Sequence, residues 1–576
     1  MAWILGISSH YHDSAVTLLH NGTVVAAASE ERFSRVQNDS AFPHRALDWA
    51  LASAGIDGAD IDHVGFYELP RLKWDRILET HLATAPWGLR RFCAAMPSWL
   101  NTKLRTRREL RTALATRTMS PRQCKESLHF TSHHLSHAAS AFYPSPFERA
   151  AVLTMDGVGE WSTTTWGVGQ GREIQLHQEI RFPHSLGLLY STFTDHLGFE
   201  VNSGEYKMMG LAAYGQPRWQ EQIEKELIRI NDDGSFALNL RYFQFPYGFR
   251  MGSPKLARWL GLPRRSPDDP IESCHMDLAC SIQRVLETTV LTIARHIHRQ
   301  TGLDRLCLAG GVALNGVCNI RLLREGPFES IWVQPAAGDA GGSLGVAMWI
   351  WHEALKQPRE VHAAPVWSTY LGPTINTDSL EITHLPSMNR LPTGELARQV
   401  AELVADGRIV AIARGPMEFG PRALGNRSIL ADPRDPEMKD RINRVIKQRE
   451  SFRPFAPVVM QERASEIFDM GDVHASPFMQ MTFTVAPEWR PRLPAITHVD
   501  HSARLQTVNG QQHRLLHEVL QQFDAITGCP VLLNTSLNIR GEPIACTAEE
   551  AYAVFMNQHI DALVLNDCLL LREDQP

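Results

Sequence analysis

The chain has no CxxC pair, no long apolar run, no excess of positive charge and no basic segment at its start, and each absence removes a class of protein. Its nine cysteines are odd in number and scattered from Cys93 to Cys568, so neither a disulfide framework nor a zinc ribbon is indicated, and a reducing compartment is expected. A formal charge of -6 supplies no basic footprint, so no nucleic-acid partner is expected. The opening "MAWILGISSHYHDSA" passes quickly from apolar to polar residues and reads as a first strand rather than a signal peptide. No apolar run reaches the ~20 residues that span a bilayer, so the expectation is a cytoplasmic protein with no membrane partner.

What is present is an ordinary α/β composition, 44% hydrophobic and 21% charged. At 576 residues the chain exceeds what one core usually serves, and two domains are expected. Residues 4–33, "ILGISSHYHDSAVTLLHNGTVVAAASEERF", and 151–182, "AVLTMDGVGEWSTTTWGVGQGREIQLHQEIRF", share a layout. Each runs apolar, turns at an Asp, resumes apolar, turns again at "NG" or "QG" and ends strand-like, which predicts a repeated three-strand meander. Such duplication is similar to the plan of actin-like ATPases and sugar kinases, which hold a nucleotide between their halves. Residues 71–128 interrupt the pattern with Arg-rich, helix-like sequence broken by proline, read as a packed helical insertion with a solvated basic face.

Further on, "LCLAGGVALN" and "IWVQPAAGDAGGSLGVAMWIW" each read as a buried strand, a glycine turn and a helix start. Free amides at such a turn suit a phosphate. The proline-bearing stretch 352–396 suits a linker, so the boundary is set at 360/361, and "GRIVAIARG" opens a second α/β domain. Within that half Arg422, Arg427, Lys447, Arg449, Arg453 and Arg504 sit among glycine and proline turns. Arginine forks grip phosphate or carboxylate through paired hydrogen bonds, so these cations predict an anion pocket.

Three histidines fall within five positions in "FTSHHLSHAASAFY". An i, i+4 pair shares a helix face, so His133 and His137 can reach one metal ion, whereas His134 points elsewhere and is expendable. Two imidazoles leave a coordination shell unfinished, and spacing alone does not supply the rest.

The ordered motifs "HYHDSA", "EERFSR", "HHLSHAASAFY", "MDGVGE", "GEYKMMGLAAYG", "LAGGVALN", "GDAGGSLG", "FGPRALGNRS", "FRPFAP", "SARLQTV" and "NTSLNIRGEPI" resemble the NodU/CmcH-type O-carbamoyltransferases over essentially the whole chain. The resemblance implies a duplicated actin-like domain over 1–360 and a YrdC-like α/β domain over 361–576. The second would make carbamoyl adenylate from carbamoyl phosphate and ATP, with Mg2+. The first would pass the carbamoyl group to a hydroxyl of a small-molecule acceptor such as a sugar or an antibiotic precursor. Implied metal ligands are His133, His137, Asp156 and Asp339, with Fe2+ the expected ion and Zn2+ or Mn2+ compatible with the donors. Ala138, Ala139 and Ser140 would let the helix pack closely behind them.

His12 matches the family's catalytic histidine, with Asp13 orienting it or holding metal-bound water, while His10 reads as a strand or turn residue. Gly310, Gly311, Val312 and Asn315 would approach the nucleoside, and Gly338, Gly341 and Gly342 its phosphate. Arg422, Lys447 and Arg453 match the clamp on carbamoyl phosphate and ATP, completed by Arg504, Asn534 and Ser536. Gln37 departs from the family, which often has lysine there, and supplies no charge. A monomer or homodimer is expected. The competing readings are an ATP-dependent small-molecule kinase of actin-like fold, a tRNA carbamoylating enzyme and a nucleotide-sensing scaffold.

Overall fold

The structure, a computed structural model, describes residues 1–101, 103–117, 120, 127–361, 368–376 and 389–575. Parts of the Arg-rich stretch, 118–119 and 121–126, and of the linker stretch, 362–367 and 377–388, lie outside the described residues. The chain divides into two compact units, Met1–Glu30 with Ser40–Trp367, and Glu31–Asp39 with Ser368–Pro576.

The first unit holds two five-stranded sheets of one topology. In the first sheet, Trp3–Ser8, Ala15–His20 and Thr23–Ser29 form an antiparallel meander, and His63–Phe66 then Leu128–Phe130 add parallel beyond the first strand. In the second sheet, Arg149–Met155, Ser162–Gln170 and Glu173–Arg181 repeat the meander, with Arg305–Ala309 and Ser330–Val333 as the parallel additions. Both therefore run third, second, first, fourth, fifth, which is the duplicated actin-like arrangement. The turn at Asn21–Gly22 takes positive φ at both residues, 51° and 83°, the geometry that matches the twist of the strands it joins.

Parallel strands need crossover segments, and the helix Gly316–Glu325 links the parallel strands Arg305–Ala309 and Ser330–Val333 in this way. The helix Ala340–Trp349 packs against the strand Trp3–Ser8 and the helix His133–Phe142. Two glycines permit this. A Cβ on Gly345 would run into the carbonyl oxygen of Ser136, and one on Gly6 into that of Ser343. Thr17 and Ser343 hydroxyls hydrogen-bond across the same contact at 2.8 Å.

The Arg-rich insertion forms the helices Pro70–Ala83, Leu89–Asn101 and Thr106–Ala115. Contrary to the expected break, Leu89–Asn101 continues through Pro97. An interior proline costs about 3 kcal/mol, and the buried Trp99, whose ring lies 5.7 Å from that of Trp74, offsets it through packing.

The second unit is built on a mixed eight-stranded sheet, in spatial order Asn389–Arg390, Cys568–Leu571, Ala562–Leu565, Val410–Ala413, Arg427–Ala431, Val531–Ser536, Ala456–Met460 and Gln506–Val508. Its nine-residue graft from the N-terminal part of the chain is held by specific contacts. Arg35 donates to the carbonyls of Pro543 and Ile544 at 2.8 Å each, Arg32 to that of Gly420 at 3.1 Å, and Phe33 packs against Met417, Ala423, Ile544 and Cys546. A single cut at 360/361 does not describe this division. The third strand of the first meander ends at Ser29, and "ERFS" is a helical turn rather than a strand end.

No helix among the described residues is long and apolar enough to cross a membrane, and their eight cysteines are all free thiols. Because Gly345 abuts backbone that has nowhere to move, Gly345→Val is expected to destabilise the protein by about 1–3 kcal/mol or more, read as a lowered urea midpoint with unchanged slope.

Candidate active site

In each sheet of the first unit the chemistry-bearing turns follow the carboxyl ends of strands. "HYHDSA" follows Ser8, and its counterpart "MDGVGE" follows the strand ending at Met155. His133 opens the helix after the strand Leu128–Phe130, and Asp339 precedes the helix Ala340–Trp349.

These turns converge. One donor atom from each of His133, His137, Asp156 and Asp339 lies within 4.8 Å of the others, and all four residues are buried. His133 Nε2 is 2.9 Å from Asp156 Oδ2 and 3.1 Å from His137 Nε2, while His137 Nε2 is 3.6 Å from Asp339 Oδ1. Burial opposes a charge on His137, but the Asp156 and Asp339 carboxylates, 3.7 and 3.6 Å from its Nε2, outweigh it and raise its pKa to about 9. Burial likewise opposes ionisation of Asp339, yet the neighbouring His12 and His133 pull it down to about 2. Two imidazole nitrogens and two carboxylate oxygens thus form one buried donor set, and Asp339 Oδ1 is buried without a hydrogen-bond partner. A divalent metal fits that set.

Glu160, in "MDGVGE", holds the helix start. Ser132 gives no side-chain cap, and the Glu160 carboxylate accepts instead from the backbone of His133 at 3.0 Å and of Leu69 at 2.7 Å. The position of a negative group at a helix N-terminus is favourable on its own. His134 is not expendable. Its ring is buried and bridges Thr154 Oγ1 at 2.8 Å and the Ser162 carbonyl at 2.9 Å, with burial and then the two neighbouring histidines depressing its pKa to about 3.

His12 sits at the edge of this cluster, with Nδ1 2.8 Å from Asp13 Oδ2 and Nε2 3.8 Å from Asp339 Oδ2. Burial works against its protonation, but Asp339 and the hydrogen-bonded Asp13 prevail and hold its pKa well above the usual imidazole value. His10 and Asp13 adopt positive φ, 76° and 54°, so the turn carries strain in two non-glycine residues. His10 has a structural tie, lying 2.9 Å from Glu109 of the insertion. Tyr67, which no sequence signal marked, directs its hydroxyl to Asp339 at 3.5 Å.

The glycine turns have several uses. Gly310, at φ 90°, has no room for a Cβ against the Met155 carbonyl, and Gly311 N donates to Asp156 Oδ1 at 3.1 Å. A Cβ on Gly338 would meet nothing within 4 Å, which leaves that backbone open to a ligand. Gly341 and Gly342 have packing reasons instead, since a Cβ there would strike the Ala336 carbonyl and, at 2.7 Å, the Tyr67 ring. Val312 is half-buried. Asn315 is committed to the fold, as its Oδ1 caps the next helix at Cys318 N and its amide pairs with Gln283.

In the second unit Lys447 is buried. Its ammonium donates to the Ser536 and Asn538 carbonyls, with Asn538 Oδ1 at 3.0 Å and Ser536 Oγ at 3.3 Å. Burial, then Arg449 and Arg453, push its pKa well below the lysine value. Asn538, two residues beyond Ser536, is thus part of a group that the sequence reading did not include. Arg453 reaches Glu450 at 3.7 Å. Asn534 donates to Gln506 at 2.7 Å and keeps a buried Oδ1 without a partner. Arg422 lies in the turn before the strand Arg427–Ala431, and Arg504 ends the strand Ser502–Arg504. Gln37, on the grafted segment, is exposed. Arg427 is not a clamp residue, because its buried guanidinium is spent on the carbonyls of Pro373, Arg414, Gly415, Asn426 and Cys546.

Comparison with known proteins gives two family matches that together cover most of the chain. The family described as "Carbamoyltransferase N-terminus" matches residues 3–348, and "Carbamoyltransferase C-terminus" matches 401–572. An uncharacterized protein of Synechocystis is 47% identical over 100% of this chain and 98% of its own. The nodulation protein NolNO of Sinorhizobium fredii is 38% identical over 97% of this chain and 79% of its own. Among solved structures, component A of the (R)-2-hydroxyglutaryl-CoA dehydratase of Acidaminococcus fermentans aligns at a TM-score of 0.34 and 14% identity, over 62% of this chain and 100% of that one.

The two neighbouring histidines are expected to separate on substitution. His133→Ala should abolish metal retained per folded chain after desalting, measured by mass spectrometry of bound metal. His134→Ala should retain metal but lose about 1–3 kcal/mol of stability, because Thr154 and the Ser162 carbonyl lose a buried partner.

Proposed function

Because this chain belongs to the carbamoyltransferase family, and is itself a carbamoyltransferase, we propose that it works in two steps divided between its units. The second, YrdC-like unit consumes carbamoyl phosphate, water and ATP: hydrolysis of carbamoyl phosphate gives carbamate and phosphate, and a carbamate oxygen then attacks the α-phosphorus of ATP to form carbamoyl adenylate as pyrophosphate leaves. The first unit transfers the carbamoyl group to a hydroxyl of a small-molecule acceptor and releases AMP. The observation that carries this reading is the separation of chemistries. Metal-type donors and a carboxylate-backed histidine stand together in the first unit, and a buried cationic group stands in the second.

In the activating step, Lys447 and Arg453, with Arg422 and Arg504, neutralise phosphate oxygens while the α-phosphorus is attacked. Burial makes Lys447 a poor host for an uncompensated charge, so an incoming anion restores its full protonation. The unpartnered Oδ1 of Asn534 supplies an acceptor for the carbamoyl amide.

In the transfer step, Asp13 accepts a hydrogen bond from Nδ1–H of His12 and thereby leaves Nε2 to receive the acceptor's hydroxyl proton. The surrounding carboxylates raise the proton affinity of His12, which suits a base acting on an alcohol. His133, His137, Asp156 and Asp339 would hold Fe2+, or Zn2+ or Mn2+, and the ion would supply positive charge beside the carbamoyl group. The open backbone at Gly338 and the amide turn at Gly310–Gly311 admit the adenylate.

A kinase of the same fold would release ADP without carbamoyl phosphate, so product analysis decides between the two. With ATP and carbamoyl phosphate but no acceptor, pyrophosphate is expected. Arg422→Ala should lower it by about 10²-fold, whereas His12→Asn should leave it unchanged and block carbamate-ester formation. Equal loss of both steps in both variants would contradict the division.

A further inference from the structure

The helical insertion carries a cation that the proposed reaction does not use. Arg76, on the helix Pro70–Ala83, is only 7% exposed, and its Nε is buried without a hydrogen-bond partner. Among the described residues no carboxylate pairs with its guanidinium, which instead lies over the Phe182 ring at 5.0 Å. The nearby acids are committed elsewhere. Glu68 takes the ammonium of Lys73, and Glu160 takes the backbone amides of Leu69 and His133.

A buried guanidinium without a counter-ion costs several kcal/mol, more than a ring contact returns. A protein retains such a group when something else completes it. Its surroundings say where. Lys73, on the preceding turn of the same helix, lies 4.6 Å over the ring of Tyr11, and that ring is 4.8 Å from the ring of His12. Tyr11 is one-third exposed, so this row of side chains opens to solvent beside the proposed base. Arg91, from the next insertion helix, donates to the Phe245 carbonyl and adds a second cation within electrostatic reach of Arg76.

We propose that Arg76, with Lys73 beside it, receives an anionic group of the acceptor, a carboxylate or a phosphate, and so turns the acceptor hydroxyl toward His12. The inference rests on the transferase reading and adds the substrate class to it: a hydroxylated small molecule bearing one negatively charged group. A planar fork binds either oxyanion through two parallel hydrogen bonds, which fixes direction as well as position.

The test is equilibrium dialysis of full-length protein, metal-loaded, against labelled glucuronate, glucose 6-phosphate, glucose and AMP, for wild type, Arg76→Gln and Arg76→Met. Wild type should bind at least one of the two anionic sugars more tightly than glucose, and whichever binds identifies carboxylate or phosphate. Both variants should lose that binding by at least about tenfold while holding AMP equally well. Arg76→Met should also melt no lower than wild type, since it removes an uncompensated buried charge. Variants that bind the anionic sugars as wild type does overturn the proposal, as does a wild type that prefers neither of them to glucose. A parallel loss of AMP binding overturns it too, because the occupant would then be the nucleotide phosphate. A lowered melting point in Arg76→Met with anion binding intact would assign Arg76 to the fold alone. Pyrophosphate release from ATP and carbamoyl phosphate, measured on the same preparations, should not depend on Arg76. Its absence in every preparation, with Arg76-dependent sugar binding preserved, would sink the two-step reading and leave the anion site standing.

Discussion

Two imidazole nitrogens 3.1 Å apart and two carboxylates, all withdrawn from water, set the terms for the first unit. Four ionisable groups at that spacing are costly to bury unless positive charge balances the acids. A proton on His137, whose pKa the two carboxylates raise, supplies part of that charge, and a divalent cation would supply it to all four groups at once. Much of the surrounding structure serves that convergence. The duplicated sheets deliver His133 and Asp339 from equivalent positions, after the fifth strand of each, while Asp156 follows the first strand of the second sheet; Gly345 lets two helices close behind the histidines, and Glu160 caps the helix on which they stand.

The second unit handles charge in the opposite sense. Lys447 is surrounded by carbonyl and amide oxygens and by other cations, with no carboxylate of its own among the described residues, and burial weakens its hold on a proton. An anion is what such a site lacks. The contrast between an acid-rich group and a cation-rich group, each within its own fold, supports the proposed division of activation and transfer between them. Phosphate oxygens need cations, whereas withdrawal of a proton from a hydroxyl needs a base with acids behind it.

Some of this was legible in the sequence. The repeated meander gave the duplicated sheets because strand alternation and "NG" turns are local signals, and His133 and His137 share a face because helix periodicity is local too. Other features were not. Arg427 reads like its neighbours Arg422 and Arg453, yet only the folded chain brings five backbone carbonyls around it. Gly341 and Gly342 look like phosphate-approach glycines because the absence of a Cβ serves helix packing and ligand approach alike. The segment Glu31–Asp39 continues a strand in sequence but folds with residues more than 380 positions away, and Arg35 bonding to Pro543 and Ile544 has no local signature. His134, adjacent to His133, is held by strand partners that spacing does not reveal.

The most direct test of the central claim is X-ray absorption at the iron edge of the full-length protein reconstituted with Fe2+. The account predicts one tightly held iron with a nitrogen and oxygen shell and outer-shell scattering from two imidazoles per metal. Iron lost on desalting, or a spectrum with no imidazole scattering, would contradict it.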